Sequence, residues 1–311
     1  MTLTQLSYII AVDKYRHFAT AAEKSFVTQP TLSMQIQKLE EELGIIIFDR
    51  SKSPVVPTEI GEKVIKKAQE ILRESKNLRD IANFREDILR GPFRVGIIST
   101  VAPYLVPMFL RNFVLQHPEI DLTFEELLTN EVIEKVGNDE LDAGIIATPP
   151  LQSTIYSENL YVEPFVGYVS ESHPLAEQEK LTMEDLDSSS IWLLSEGHCF
   201  RDQTLKICRE TAKKKNRAIQ FNSGNLETLK QLVEQDFGMT LLPWTALDNH
   251  DDGKKRKALI KEFQEPVPSR KIRLIYSRKY LKQNIIQTFK EVIQQSIPDP
   301  LKKSENAVFI E

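Results

Sequence analysis

The sequence predicts an α/β protein in three parts: a small helical module closed by a hairpin, one long helix, and a two-lobed α/β domain. Three observations predict it. Apolar residues recur at helical spacing as far as Leu43, then give way to two short β-branched runs. From Glu59 to about Leu89 the chain holds no proline and one glycine, Gly61. Beyond Gly91, apolar runs of strand length alternate with helical patterns almost to the end.

A chain of 311 residues is long for one domain and suits a small module joined to a larger one. Apolar residues make up 41% of it without any low-complexity tract, so packed globular units are expected. No apolar run approaches the roughly 18 residues of a membrane span. The opening MTLTQLSYII lacks the basic stretch, long apolar run and small-residue cleavage site of a secretion signal. The expectation is a cytoplasmic protein with no membrane partner. A net charge of −5 argues against a bulk polyanion binder. Residues 1–90 carry 14 Lys and Arg against 13 Asp and Glu, or +1, which leaves −6 for the rest. Any nucleic-acid contact must come from a local face.

In the first part, LSYIIAVDKYRHF opens a helix with Leu6, Ile9, Ile10 and Asp13 at helical spacing, and FATAAEKSF carries a second, short one. Ala19, Ala21 and Ala22 are small enough to let a neighbouring helix cross closely, as a helix-turn-helix requires. Thr28 or Gln29 can cap a third helix, with Pro30 in its first turn, where a missing N–H costs nothing. Leu32, Ile36, Leu39 and Leu43 form its inward stripe. Gln29, Thr31, Met34, Gln35 and Lys38 form an uncharged-polar and basic face. Such a face suits the major groove, where amides pair with adenine and a hydroxyl or lysine reaches phosphate; an ordinary solvated face is the plain alternative. Two β-branched runs flank Arg50, Ser51, Lys52 and Ser53, a hairpin with a cationic tip able to lie on a sugar-phosphate backbone. Thr58 caps the long helix. Val64, Ile71 and Leu78 repeat every seven residues along it, with Ala68, Ser75 and Ala82 on the adjoining seam, which predicts pairing with the same helix of a second subunit. Gly91 and Pro92 end it.

These residues carry a resemblance. FATAAEKSFVTQPTLSMQIQKLEEELGIIIFDRSK and the following PTEIG resemble the winged helix-turn-helix and linker helix of LysR-type transcriptional regulators. The resemblance implies double-stranded promoter DNA as a partner. Its candidate contacts are Gln29, Thr31, Ser33, Met34, Gln35 and Lys38, with Arg50 and Lys52 gripping the flanking backbone.

In the remainder, FRVGIIST, IDLTFEELL and LDAGIIA read as strands, separated by helices over PYLVPMFLRNFVLQHP and EVIEKVGNDE. This is βαβαβ, and a mostly parallel sheet is expected. FVGYVS, IWLLS, FRDQTLKICRETAKK, IQFNS, LETLKQLVEQDF and GMTLLP repeat the alternation. After the loop HDDGKKRKALIKEFQEPVPS, the strand KIRLIYS and the helix LKQNIIQTFKEVIQQSI return to the first lobe. Crossings near Glu163 to Phe165 and Glu265 to Pro268 place a cleft between the lobes. The effector domain of LysR-type regulators, periplasmic-binding-protein-like in fold, has this arrangement. The expected boundaries are 1–58 for the DNA-binding module, 59–90 for the linker and dimerisation helix, 91–163 with 268–297 for lobe I, 164–267 for lobe II, and 298–311 for a flexible tail.

The two cysteines, Cys199 and Cys208, lie in EGHCFRDQTLKIC. In a reducing compartment a permanent disulfide is not expected, and two lone cysteines default to small buried hydrophobes. Cys199 falls at or just before a helix start, where orphan N–H groups and the helix dipole favour a thiolate, the form that attacks a peroxide. A helical stretch between the pair spans roughly 13 Å, and a disulfide needs Cα atoms within roughly 7 Å, so bonding requires the helix to unwind. A zinc site built on His198, Cys199 and Cys208 has the wrong spacing and no fourth ligand, so no metal and no cofactor is expected. A thiol peroxidase is an alternative of another class, which would leave residues 1–90 without a role.

GHCFRDQ followed by Cys208 resembles the redox segment of the peroxide-sensing members of the same family. By that resemblance hydrogen peroxide is the signal, Cys199 the peroxidatic thiol and Cys208 the resolving one. Thr100 and Thr129 match threonines that line the peroxide site, His198 a donor to the departing hydroxide, Asp202 an orienting group, and Arg270 an arginine that favours the thiolate. Gln220 stands where a second histidine is common. The implied protein is not an enzyme. It is a homotetrameric regulator, a dimer of dimers, whose further partners are RNA polymerase and a cellular thiol reductant. The alternative within the family binds a small organic effector in the cleft, with incidental cysteines.

Overall fold

The computed structural model describes residues 1–82, 89–186, 191–208, 223–247, 260–277, 282–302 and 306–311. They fall into two units, 1–85 and 86–311. The first begins with α1 (Leu3–Tyr15), whose start is fixed by a reciprocal cap. Gln5 N–H donates to Thr2 Oγ1 at 3.2 Å, and Thr2 N–H donates to Gln5 Oε1 at 2.8 Å. Leu6, Ile9 and Val12 are buried, so the inward stripe runs through Val12, while Ile10 and Asp13 are only half-buried. Buried Ala21 and Ala22 of α2 (Phe18–Lys24) let the neighbouring helices approach. Thr28 caps α3 (Gln29–Leu43), with Pro30 in its first turn and Gly44 ending it at φ +66°. Leu32, Ile36 and Leu39 are completely buried, but Leu43, expected on the same stripe, is exposed because the helix ends there.

Glu40 ties α3 to the hairpin β1 (Phe48–Asp49) and β2 (Val56–Pro57) by accepting from Ile47 N–H at 2.7 Å and Phe48 N–H at 3.2 Å. The helix α4 (Glu59–Ala82) starts on Thr58, which accepts from Gly61 N–H and donates to the Ile46 carbonyl. Gly61 has a packing reason, since a Cβ there would lie 2.1 Å from the Ile47 carbonyl oxygen. Ile65 and Ala68 are buried, and Val64 and Ile71 pack partly buried against the same core. Of the seven-residue stripe only Leu78 stands out, 72% exposed. Residues 83–88 lie outside those described; Leu89 and Arg90 beyond them are not helical, and Gly91 and Pro92, expected to end the helix, instead open the strand Gly91–Ile98.

The second unit is built on a curled mixed sheet in the order β4-β3-β5-β11-β6-β10-β7. Its first core holds the parallel trio β3 (Gly91–Ile98), β4 (Ile120–Leu127) and β5 (Ala143–Ile146). The helices α5 (Ala102–Gln116), α6 (Thr129–Gly137) and α9 (Gln283–Ser296) lie with it. Phe289 sits edge-on to Phe93, Phe109 and Phe113 at 5.3 Å each. The sheet is less parallel than the βαβαβ pattern predicts, because β11 (Val267–Tyr276) runs antiparallel to both β5 and β6 (Tyr156–Val169). β6 is long enough to serve two sheets. It pairs with β11 as far as Pro164 and with β9 (Met239–Pro243) from Phe165.

The second core gathers on that far half of β6. It includes β7 (Lys180–Leu181), β8 (Ile191–Trp192), α7 (Cys199–Ile207), α8 (Leu226–Glu234) and β10 (Ile260–Phe263). Of the predicted strand IQFNS only Ser223 is described, bridging Leu194, and Gln220 lies outside the described residues. So does the first half of the loop expected over residues 250–269; its second half is not all loop, since it holds β10 and the start of β11. The tail expected to be loose is tied down. Leu301 is buried, and β12 (Ala307–Phe309) runs parallel to β11. Gln203 Nε2 donates to the Ile310 carbonyl at 3.0 Å, and Lys206 reaches the main-chain oxygen of Glu311. Among the described residues no helix is long and apolar enough to cross a membrane.

Candidate functional site

The stretch around the cysteines is shaped by its own sequence. Gly197 turns the chain at φ +92°, a conformation that disfavours a side chain, and His198 precedes the helix in extended conformation. Cys199 is therefore the first residue of α7, and Cys208 caps its far end. The helix ends at Ile207, since Cys208 is extended at φ −81° and ψ 150°; the part predicted beyond Cys208 lies outside the described residues. Phe200, Gln203, Thr204 and Ile207 form the buried stripe, while Leu205 is exposed. Gln203 Nε2 also donates to the Ala147 carbonyl at 3.0 Å, which ties α7 to the first core. Both cysteines are reduced, Cys199 half-buried and Cys208 buried.

Several of the predicted site residues meet at Cys199. Thr129, at the start of α6, hydrogen-bonds the Cys199 thiol. Arg270, on β11, is completely buried and stacks 5.0 Å over the Phe200 ring. It donates from Nη1 to Thr100 Oγ1 at 3.1 Å and from Nη2 to the Thr100 carbonyl at 3.0 Å. Burial pushes the Cys199 thiol above its ordinary pKa, while the Thr129 hydrogen bond and the Arg270 charge pull it down. The thiolate expected from the helix start is thus outweighed by desolvation.

His198 lies 3.2 Å from Ser99 Oγ through Nδ1, and burial holds its pKa down, partly opposed by Glu126. The imidazole is neutral at physiological pH. Asp202 is exposed, and its charge acts on Cys199 by raising the thiol rather than by orienting donors.

Sequence reasoning passed over the groups that hold Arg270. Glu163, on β6, is completely buried and pairs with Arg270 at 2.6 Å from Nη2 and 2.7 Å from Nε. Thr245 donates to the other carboxylate oxygen through its hydroxyl and through its N–H at 3.3 Å. A carboxylate inside the apolar run YVEPFVGYV was the available signal, because a buried charge in such a strand requires a partner.

The surface of α3 is arranged separately. Gln29, Thr31, Met34 and Lys38 are exposed, and Ser33 and Gln35 half-buried. Gln35 Oε1 accepts from Gln5 Nε2 at 3.3 Å, so its amide is partly engaged within the module. Arg50 is not a lone cation at the hairpin tip. It pairs with Glu40 at 2.9 Å, lies 5.1 Å over the Phe18 ring, and donates to Ser33 Oγ at 3.4 Å. Lys52 is exposed, 3.9 Å from Asp49.

Residues 3–62 match the family described as bacterial regulatory helix-turn-helix protein, lysR family. Residues 87–298 match the LysR substrate binding domain. The chain is 35% identical over 276 residues to the hydrogen peroxide-inducible genes activator of Haemophilus influenzae, covering 89% of this chain and 90% of that one. It is similar to a solved full-length OxyR variant from Pseudomonas aeruginosa, with a TM-score of 0.72 and 35% identity, covering 96% of this chain and 97% of that one. It is also similar to a hydrogen peroxide-bound OxyR mutant from Corynebacterium glutamicum, with a TM-score of 0.61 and 28% identity, covering 95% and 92%.

Proposed function

The chain belongs to the LysR family of bacterial helix-turn-helix regulators, and from that premise we propose that it is a hydrogen peroxide-sensing transcriptional regulator switched by a reversible bond between Cys199 and Cys208. The observation that carries this reading is the placement of Cys199 at the start of α7, hydrogen-bonded by Thr129 and under the charge of a buried Arg270, with a second thiol at the other end of the same helix. The relatives named for peroxide support it.

The chemistry runs in two steps. The Cys199 sulfur attacks one peroxide oxygen; the S–O bond forms as the O–O bond breaks, and the second oxygen leaves with a proton as water. The thiol becomes a sulfenic acid. Cys208 then attacks that sulfur, the S–S bond forms, and the sulfenic oxygen leaves as a second water. The peroxide is the two-electron oxidant. Thr100 and Thr129 offer hydroxyls for a small uncharged substrate, and His198, neutral, is the donor to the departing oxygen. A thiol reductant returns the pair to its starting state.

On the DNA side, Gln29, Thr31, Met34 and Lys38 are exposed for base edges and phosphates, with Ser33 and Gln35 behind them. Arg50 and Lys52 flank them on the hairpin. The protein acts on promoter DNA as a dimer of dimers, passing its state to RNA polymerase. The test is selection from a random duplex pool by the full chain, reduced and after equimolar peroxide. The expected result is enrichment of one sequence class, with affinity or footprint differing between the two redox forms. Identical selection and affinity by both forms would overturn the reading.

A further inference from the structure

Arg270 and Glu163 form a pair sealed from water, each 0% exposed. The carboxylate takes the Nε and Nη2 edge of the guanidinium, while Thr100 takes Nη1 and the rest of Nη2. Thr245 holds the second carboxylate oxygen with two donors, so Glu163 is fixed on both sides. The cation that Cys199 feels is therefore half of a neutral pair. A bare buried guanidinium would draw the thiolate out far more strongly than a paired one, because opposite charges at short range in a dry site are little screened.

We propose that Glu163 is a positioning residue that acts through Arg270, holding the guanidinium against Thr100 while cancelling much of its charge at the Cys199 sulfur. It thereby sets how readily the thiol reacts, and keeps it from being spent by weak oxidants. Other groups among the described residues face this centre, Glu227 among them, which accepts from the Tyr104 hydroxyl at 2.8 Å. Asp202 of α7 opposes the thiolate, and His198 is neutral beside Ser99, facing Glu126. Tyr161 of β6 and Tyr104 of α5 face the Glu163 and Arg270 charges, and both phenols are held protonated by burial. Among the described residues, Arg270 is the cation acting on Cys199 and Glu163 is the anion paired with it.

The role rests on the reading of Cys199 as the reactive thiol, and the test needs no peroxide. Alkylation of Cys199 by iodoacetamide is followed against pH in the full chain, with Cys208→Ser as background so that one thiol reports. Glu163→Gln keeps the shape and removes the charge. The expected result is an alkylation midpoint about one pH unit lower, with alkylation near neutral pH roughly tenfold faster. A midpoint unchanged or raised overturns the proposal. Should that variant fail to fold, Glu163→Gln with Arg270→Met removes both charges together and strands neither. If the pair is self-cancelling, its midpoint stays within about half a unit of the parent. A rise of about a unit or more shows an uncancelled Arg270 and overturns the proposal. A lowered midpoint in Glu163→Gln without any peroxide-dependent oxidation supports the role of Glu163 while counting against peroxide as the signal.

Discussion

Cys199 opens α7 and Cys208 closes it, so the two thiols stand at opposite ends of one nine-residue helix. At about 1.5 Å of rise per residue the span is roughly 13 Å, about twice what a disulfide bridges. Ile207 and Cys208 are moreover buried in the second core. Bond formation therefore requires α7 to unwind and Ile207 to leave its place. Hydrogen exchange should find the α7 amides protected in the reduced protein and fast-exchanging after oxidation, while those of β3 and β11 stay protected. Protection of α7 retained in a protein shown to carry the disulfide would contradict this.

The pH dependence has a definite sign. Burial raises the Cys199 pKa, so the thiolate fraction near neutral pH is below that of an ordinary cysteine. Alkylation should keep accelerating past about pH 8.5, where an ordinary thiol is half ionised. Stability follows the same sign. The advantage of the neutral buried thiol is complete below the unfolded value and is lost as pH rises through the folded one. A rate that levels off below the ordinary thiol value would contradict the assignment.

On the DNA face, Gln29→Ala removes an exposed amide and should weaken specific binding by about 1–3 kcal/mol. Gln35→Ala should cost a similar amount in binding and should also lower the stability of the module slightly, because Gln35 accepts from Gln5. Arg50→Ala should weaken binding to every sequence and flatten its salt dependence. Titrations at fixed and varied salt separate these outcomes; unchanged operator preference in both glutamine variants would remove α3 as the reading helix.

Much of this was legible in the sequence, for reasons that differ by element. The stripe Leu32, Ile36 and Leu39, the Thr28 cap and the first-turn Pro30 are local signals, and all appear as read. Leu43 is not buried as read, because the periodicity continues to the residue where the helix ends. The tail was misread because nothing local announces that Ala307–Phe309 finds a partner in β11, or that Gln203 reaches Ile310. Glu163 and Thr245 were overlooked for a similar reason. Glu163 meets Arg270 107 positions along the chain and Thr245 82 positions along it, and only the fold brings the three together.

The linker gives a sharper prediction than its repeat alone. Val64 and Ile71 are partly occupied by the core of their own module, leaving Leu78 as the free apolar position of the stripe. Leu78→Lys should therefore separate subunits joined through this helix while the module keeps its melting temperature, because the lysine puts like charges on the shared seam. Ile71→Lys should lower that temperature as well. Light scattering showing an unchanged mass for Leu78→Lys would reject the seam.

The central claim is that Cys199 reacts first and Cys208 resolves it, and trapping of the sulfenic acid tests it most directly. The full chain and its two single variants are pulsed with sub-stoichiometric hydrogen peroxide in the presence of a dimedone-type trap, and the products are read by mass spectrometry. The predicted result is a disulfide in the unsubstituted chain, an accumulating adduct at Cys199 in Cys208→Ser, and no adduct at Cys208 in Cys199→Ser. Equal, slow oxidation of Cys199 and Cys208 in the two variants, at the rate of an unactivated thiol, would contradict the account.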